Sequence, residues 1–356
     1  MADDALDHIQ LKRSQRDPAA LQRVLADWLA PHLGGPVHVS QPEVPEGTGV
    51  ANETVMFEAR WSVGGTEHDQ GFVLRIASES PLYLDADIRV HHDMYAALAD
   101  VPGVPVPRVY GYEGDAGLLG APFFVMERMA GRVPADQPPW ATAGFVVDAT
   151  PDERRAMWDN AVRVLAALHQ VDVSRVPFLA PPAGVSGLAD HLAYWRRWLD
   201  DPVTGGQHDT LDAGYEWLVR HLPADAPTGL SWGDSRFANV MFRGTDVVSI
   251  FDWDTVSLAG AGADLAWWRT MDGPSATLPG IGSPDELTLR WQELTGIEAT
   301  NLEYYDVLTS FRLGAILMRL FSQMGAAGTL PPEVAQQQAR ESAFALLLAS
   351  QLEALR

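Results

Sequence analysis

The chain contains no cysteine among its 356 residues. That excludes disulfides, thiolate metal centres and thiol nucleophiles in one step. Long apolar runs are missing too: the longest candidate, residues 343–349, falls far short of the ~20 residues that span a bilayer. The opening residues, Met1-Ala-Asp-Asp-Ala-Leu6, have neither the basic start nor the apolar stretch of a signal peptide, so a cytoplasmic location is expected. Basic residues are scarce, 25 against 47 acidic, which leaves a formal net charge of −22. Such a surface repels nucleic acid and anionic membranes, and neither is expected as a partner. The ten histidines contain no His-x-x-x-His pair of the kind that ligates a metal from one helix face. No internal repeat or low-complexity tract stands out.

What remains is the composition of a globular protein, 47% hydrophobic and 20% charged, with enough length for two lobes. Asp17-Pro18 reads as a helix start, with Leu21, Val24, Leu25, Trp28 and Leu29 as its apolar stripe and Gly34-Gly35-Pro36 as its end. Two β-rich runs follow, Thr54–Trp61 and Gly71–Ala77, joined through Gly64-Gly65. A helix is expected over residues 85–98, ended by the proline-rich segment 101–107. Phe123–Met126 reads as a buried strand, and the boundary between lobes is placed just after it, giving residues 1–127 and 128–356. The second part reads as mostly helical: 152–170, 189–199, 211–222, a stripe of Leu308, Phe311, Ala315 and Met318, and one last helix after Pro331-Pro332. The expected class is therefore α+β, with a small β-rich first lobe and a larger helical second one.

One polar stretch interrupts the helical part. Trp232-Gly-Asp-Ser-Arg-Phe-Ala-Asn239 leads into a hairpin, with strands near 240–242 and 247–251 around the turn 243–246, and ends at Asp252-Trp-Asp254. Asp234 and Asn239 are five apart, and Asp252 follows thirteen later. Phosphoryl transfer needs a carboxylate facing the attacking hydroxyl, hard oxygen ligands for magnesium, and cations near the nucleotide. An Asp, an Asn five residues on and an Asp after a hairpin is the spacing of the protein-kinase catalytic loop and metal-binding residue.

The run Ser231–Phe242 with Ile250-Phe-Asp-Trp-Asp254 resembles the catalytic and metal-binding motifs of the aminoglycoside phosphotransferase family, in its bacterial phosphotransferase branch. That branch is related to kinase-like domains fused to some acyl-CoA dehydrogenases. The likeness continues in matching order through Gly47-Thr-Gly-Val-Ala-Asn-Glu-Thr54, Phe72-Val-Leu-Arg75, Val104-Pro-Val-Pro-Arg-Val109, Pro122-Phe-Phe-Val-Met-Glu127 and Leu165-Ala-Ala-Leu-His169. It implies a bilobal protein-kinase-like fold using ATP and magnesium to phosphorylate a small-molecule hydroxyl acceptor. Asp234 would be the base, Asn239 and Asp252 the magnesium ligands, and Arg236 a contact to the γ-phosphate. Glu127, Arg128 and Met129 would be the adenine hinge, and Gly47, Thr48, Gly49 and Asn52 the loop over the phosphates. Arg75 stands where the family has lysine, with Asp93 as its expected helix partner, and Trp232 stands where the family has histidine.

Other readings fit these residues less well. Gly47-Thr-Gly49 is not a dinucleotide loop, since a third glycine is missing and a strand follows. Arg75 and Asp93 motivate a pseudokinase-like ATP-binding module; the intact Asp234, Asn239 and Asp252 speak against it. A hydrolase with paired carboxylates leaves the glycine loop and hinge unexplained. His169 is expected to be a hydrogen-bonded core residue, and Asp264 to cap a helix and brace the catalytic loop. The 12 tryptophans are expected to be mostly packing. Acids at 190, 200, 201, 209 and 212 are interleaved with Arg196 and Arg197 and with aromatics, which points to an acceptor with apolar surface ahead of a polycationic aminoglycoside. A hydroxyacyl thioester is the alternative acceptor, needing a basic patch from Arg196, Arg197 or Arg220.

Overall fold

The computed structural model describes residues 16–45, 52–78, 81–204 and 208–355. The chain divides into two compact units: Met1–Val101 with Pro105–Gly131, and Pro102–Val104 with Arg132–Arg356. The expected loop residues Gly47, Thr48 and Gly49 lie outside the described residues; Asn52 is described, in a bend at the foot of a strand.

In the first unit five strands form an antiparallel sheet in the order β1-β2-β3-β5-β4: β1 Val37–Val39, β2 Glu53–Val63, β3 Thr66–Ile76, β4 Val109–Glu113 and β5 Phe123–Glu127. The two central strands run longer than their β-rich cores suggested. The Gly64-Gly65 turn, both residues at positive φ (58° and 82°), closes a two-residue hairpin that keeps pairing out to Val63 and Thr66. Alternation sorts their side chains. Val55, Phe57 and Ala59 of β2 and Phe72, Leu74 and Ile76 of β3 join one buried cluster with Leu21, Leu25, Trp28 and Leu29 of helix α1, Pro18–Leu33. Asp17 caps α1 as expected, its side chain accepting from the Ala19 N–H at 3.1 Å, and Gly34 ends it in the left-handed region. Thr54 and Arg75 alternate with that set and lie directly opposite one another in the β2–β3 register. Helix α2, Ile88–Leu98, has the capping Asp87 at its start and contacts β4 and β5, with Tyr95 and His92 near the Phe124 ring.

Among its described residues the second unit consists of helices and loops with one hairpin, β6 Val240–Arg243 and β7 Asp246–Ile250. Its longer helices are α3 Pro151–Leu168, α4 Gly187–Asp200, α5 Asp209–Arg220, α6 Ala261–Asp272, α7 Pro284–Thr295, α8 Leu302–Ala326, α9 Pro332–Arg340 and α10 Ala343–Ala354. A capping box of Thr150 and Glu153 starts α3, and Ser283 with Glu286 does the same for α7. Helix α8 is the 25-residue centre of the unit: α4, α5, α6, α9 and α10 all contact it, and a helix so surrounded is buried nearly all round. The single last helix expected after Pro331-Pro332 is two helices, because Ser342 caps a new start by accepting from the Ala345 N–H. Among the described residues no helix is long and apolar enough to cross a membrane.

Leu25 is fully buried between α1 and the sheet. Leu25→Ala should therefore destabilise the protein by about 2–5 kcal/mol, read as a lowered urea midpoint; a change below ~0.5 kcal/mol would mean that α1 does not dock on the sheet.

Candidate active site

The loop Ser231–Asn239 runs along helix α6. Asp264, in the first turn of α6 and fully buried, takes four donors: Ser231 Oγ (3.0 Å) and the Gly233 N–H (2.8 Å) on Oδ1, and the Trp232 N–H (2.6 Å) and His169 Nε2 (2.9 Å) on Oδ2. Ser235 Oγ returns a bond to the Asp264 carbonyl at 2.9 Å. One turn on, Trp267 Nε1 donates to Asp234 Oδ1 at 2.7 Å. At the end of α6, Asp272 Oδ2 accepts from the Phe237 N–H at 2.6 Å. The loop is thus pinned at three heights of one helix. Asp264 braces it as expected but does not cap the helix; Gly260 occupies the N-cap. His169 is a core residue, as expected. An indole N–H can only donate, so the 2.9 Å bond from Trp291 Nε1 makes His169 Nδ1 the acceptor and leaves Nε2–H to point at Asp264.

A second strand of chain lies against this loop. Ser231 and Ser257 exchange backbone bonds at 2.9 and 3.1 Å, and the Gly260 N–H reaches the Gly229 carbonyl. At Gly233, φ is +94° and a Cβ would stand 2.2 Å from the Thr255 carbonyl oxygen, so no side chain fits. Arg312 of α8, fully buried, donates Nη2 to the Gly233 carbonyl at 2.8 Å and lies over the Trp267 ring, 4.2 Å from its centroid. Trp232, where the family's histidine would be, donates Nε1 to the carbonyls of Phe251 (2.8 Å) and Asp252 (2.9 Å). It orients the segment carrying Asp252 from the catalytic-loop side.

Asp234 is buried and held by three side chains. Trp267 binds Oδ1, while Arg236 Nε (3.0 Å) and Asn239 Nδ2 (2.7 Å) both bind Oδ2. The five-residue spacing works because residues 237–239 form one 3₁₀ turn, which brings the Asn239 amide back onto Asp234, at both the carboxylate and the carbonyl oxygen. With its amide nitrogen so used, Asn239 has its side-chain oxygen to offer a cation. Asp252 sits in the left-handed region at φ 67°, which aspartate tolerates better than most residues, and its Oδ1 accepts from the Asp254 N–H at 3.2 Å. Burial first, then the charges of Asp254 and Asp234, push the Asp252 carboxyl well above the usual carboxylate range. A buried carboxylate repelled by two others is a site a divalent cation would relieve. No group of three or more His, Cys, Asp or Glu among the described residues converges as a metal site, so an ion here would rely on one Asn, one Asp and non-protein oxygens, which suits magnesium.

The remaining expected residues divide. Arg75 does not pair with Asp93. Its Nη1 donates to Thr54 Oγ1 at 2.5 Å, the residue facing it across the β-ladder, while Asp93 bonds Arg89 (3.4 Å) and His92 Nδ1 (2.8 Å) next to it on α2. The Glu127 N–H donates to the Arg108 carbonyl and the Arg128 N–H to the Gly71 carbonyl. Neither bond uses the Glu127 carbonyl or the Met129 N–H. Arg236 turns its guanidinium to two carboxylates, Nε to Asp234 and both Nη atoms to Asp136 (2.5 and 3.0 Å). Asp136, Trp267, Asp272 and Arg312 were missed in the sequence. Asp272 lies two helical turns beyond Asp264 on α6, a spacing that could have pointed to it. The fully buried Trp158, Trp195, Trp198 and Trp253 are core residues, as expected, whereas Trp232 also orients the Asp252 segment.

The sheet-bearing first unit, the helical second unit and this braced Asp–Asn–Asp arrangement define a kinase-like phosphotransferase class. The chain belongs to the phosphotransferase enzyme family, whose sequence model matches residues 49–282, more than half of its length. It is similar to acyl-CoA dehydrogenase family member 11 of Homo sapiens, 24% identical over 259 residues, covering 67% of this chain and 31% of that protein. The chain thus spans about a third of that relative. Two solved structures share the fold. One, from Ralstonia eutropha and provisionally named an aminoglycoside phosphotransferase, superposes with TM-score 0.69 at 22% identity, covering 93% of this chain and 98% of the other. The second, a thermostable mutant of aminoglycoside phosphotransferase APH(4)-Ia bound to ADP and hygromycin B, gives TM-score 0.54 at 15% identity over 92% and 98%.

Asp272 yields a pH test. Burial is the main cause pushing its carboxyl up to about 7 from the ordinary 3.8. Between those values the folded chain holds a proton the unfolded chain has lost, so stability from this group is full below pH ~4 and is lost as pH rises to about 7. The wild-type advantage over Asp272→Asn should shrink from pH 5 to pH 8 in urea unfolding. An advantage that stays constant or grows with pH would contradict the assignment.

Proposed function

We propose that the chain transfers the γ-phosphate of ATP to a hydroxyl group of a small molecule, with magnesium bound by Asn239 and Asp252 and Asp234 as the base. The observation that carries this reading is the loading of the Asp234 carboxylate. Oδ2 already accepts from Arg236 and Asn239, and Oδ1 from Trp267, so the lone pair left for an acceptor hydroxyl is on Oδ1. Magnesium would offset the charge of the phosphates; the chain's own part is to hold the base and the two ligands in register. The Glu127 carbonyl and Met129 N–H would receive adenine, Arg75 would face the nucleotide phosphates, and Asn52 with the glycine segment before it would cover them. The nucleotide and the small-molecule acceptor in the APH(4)-Ia complex support this reading. An inert ATP-binding module would have no use for a base so carefully held.

Charge pairing favours an acceptor with apolar surface over a polycation. Asp200 and Asp212 are taken by Arg196, and Asp201 by Arg319 at 3.0 Å, so these acids are not free for ammonium groups. The human relative's name raises a hydroxyacyl thioester as the second reading for the acceptor. Arg196 and Arg220 give it little support: the first is paired as above, the second with Glu216.

Two variants test the mechanism by phosphate transfer and by calorimetric titration with ATP. Asp234→Ala should lower transfer by at least ~10²-fold while leaving nucleotide binding nearly intact. Asp252→Ala should also weaken ATP binding, but only when magnesium is present. Undiminished turnover by Asp234→Ala would remove it as the base, and metal-independent binding loss in Asp252→Ala would remove it as a ligand.

A further inference from the structure

We propose that Asp136 is a positioning residue for phosphoryl transfer, acting through Arg236 on the orientation of the Asp234 carboxylate; this rests on the reading of Asp234 as the base. Asp136 belongs to the segment that follows the hinge, and that segment is tied to the catalytic loop at two points and to the hairpin after it at a third. Arg132 exchanges both backbone bonds with Phe242 of β6, at 2.8 Å each. Asp136 grips Arg236 through both carboxylate oxygens. Trp140 packs on Phe237, with ring centroids 4.9 Å apart.

Arg236 is the centre of this arrangement. Its side chain is 20% exposed, and its Nε points at the same oxygen of Asp234 that Asn239 binds. A guanidinium held only by Nε could swing about its last bonds. Gripped at both Nη atoms by a carboxylate, it has one orientation, because the fork geometry fixes the plane. Through Arg236, Asp136 therefore helps hold Oδ2 as the doubly occupied oxygen and leaves the free lone pair of Oδ1 to the acceptor. Its own side chain is 59% exposed, so the pair adds little to stability. Loss of Asp136 should then affect geometry at the base far more than folding. The same grip directs both Nη atoms away from the role of a γ-phosphate contact and makes Arg236 a bracket for the base.

The experiment uses the full-length chain with two readouts. The first is the Arg236 Nε–H resonance, assigned by its disappearance in Arg236→Lys. In Asp136→Asn it should shift and exchange faster with solvent; an unchanged resonance overturns the bracket. The second is phosphate release from magnesium-ATP, with water as acceptor. Asp136→Asn should lower kcat about 10- to 100-fold with the KM for ATP within about two-fold of wild type, and Asp136→Glu should recover part of the loss. In an Arg236→Lys background Asp136→Asn should add little, since it acts through Arg236. Additive losses, or a loss carried by the KM for ATP, overturn the proposal. A wild-type chain that releases no phosphate overturns the catalytic half of this proposal, one that also binds no magnesium-ATP overturns the phosphotransferase reading, and in either case the resonance still decides the bracket.

Discussion

The buried Asp264 carboxylate, accepting from Ser231, Trp232, Gly233 and His169, is the interaction on which the site depends. Burying a carboxylate costs several kcal/mol. Four charge-assisted hydrogen bonds, each contributing about 1.5–3 kcal/mol, offset that cost only if all four donors are in place. The loop therefore has one arrangement, and any slip leaves a buried charge short of partners. Two of the donors are consecutive backbone N–H groups, so the carboxylate fixes the chain direction immediately before Asp234.

Helix α6 extends that control along the loop. Asp264, Trp267 and Asp272 meet the loop at Ser231–Gly233, Asp234 and Phe237 in the same order along the chain. From the other side, Gly233 is pressed against Thr255 so closely that only hydrogen fits, and Arg312 binds the Gly233 carbonyl. Trp232 then ties the loop to the Phe251 and Asp252 carbonyls. Asp234, Asn239 and Asp252 thus sit on two segments held by a common frame. A site of this kind needs rigidity more than new contacts, because small misplacements of the base are costly in rate.

The parts of this frame differ in how far they could be read from sequence. The Asp234–Asn239–Asp252 spacing was legible because it is local: one 3₁₀ turn and one short hairpin set it, and both are written in adjacent residues. The alternating apolar residues of β2 and β3 and the Asp17 cap were legible for the same reason. The partner of Arg75 was not, because it depends on the cross-strand register that puts Thr54 opposite, while Asp93 is satisfied by its neighbours on α2. Arg312 sits among apolar residues of a helix buried all round, where periodicity cannot single it out. Asp136 lies in an irregular stretch 100 residues before its partner, with no pattern to mark it. Where a side chain's role is set by a distant element, spacing along the chain carries no trace of it.

The central claim, that Asp264 organises the loop carrying Asp234, is tested most directly by hydrogen–deuterium exchange on Asp264→Asn. An amide in place of the carboxylate brings an NH₂ group against donors it cannot accept from. Exchange should speed up across residues 231–239, the Trp232 and Gly233 amides most of all, while strands β2 and β3 keep wild-type protection. Unchanged protection of the loop in that variant would contradict the account.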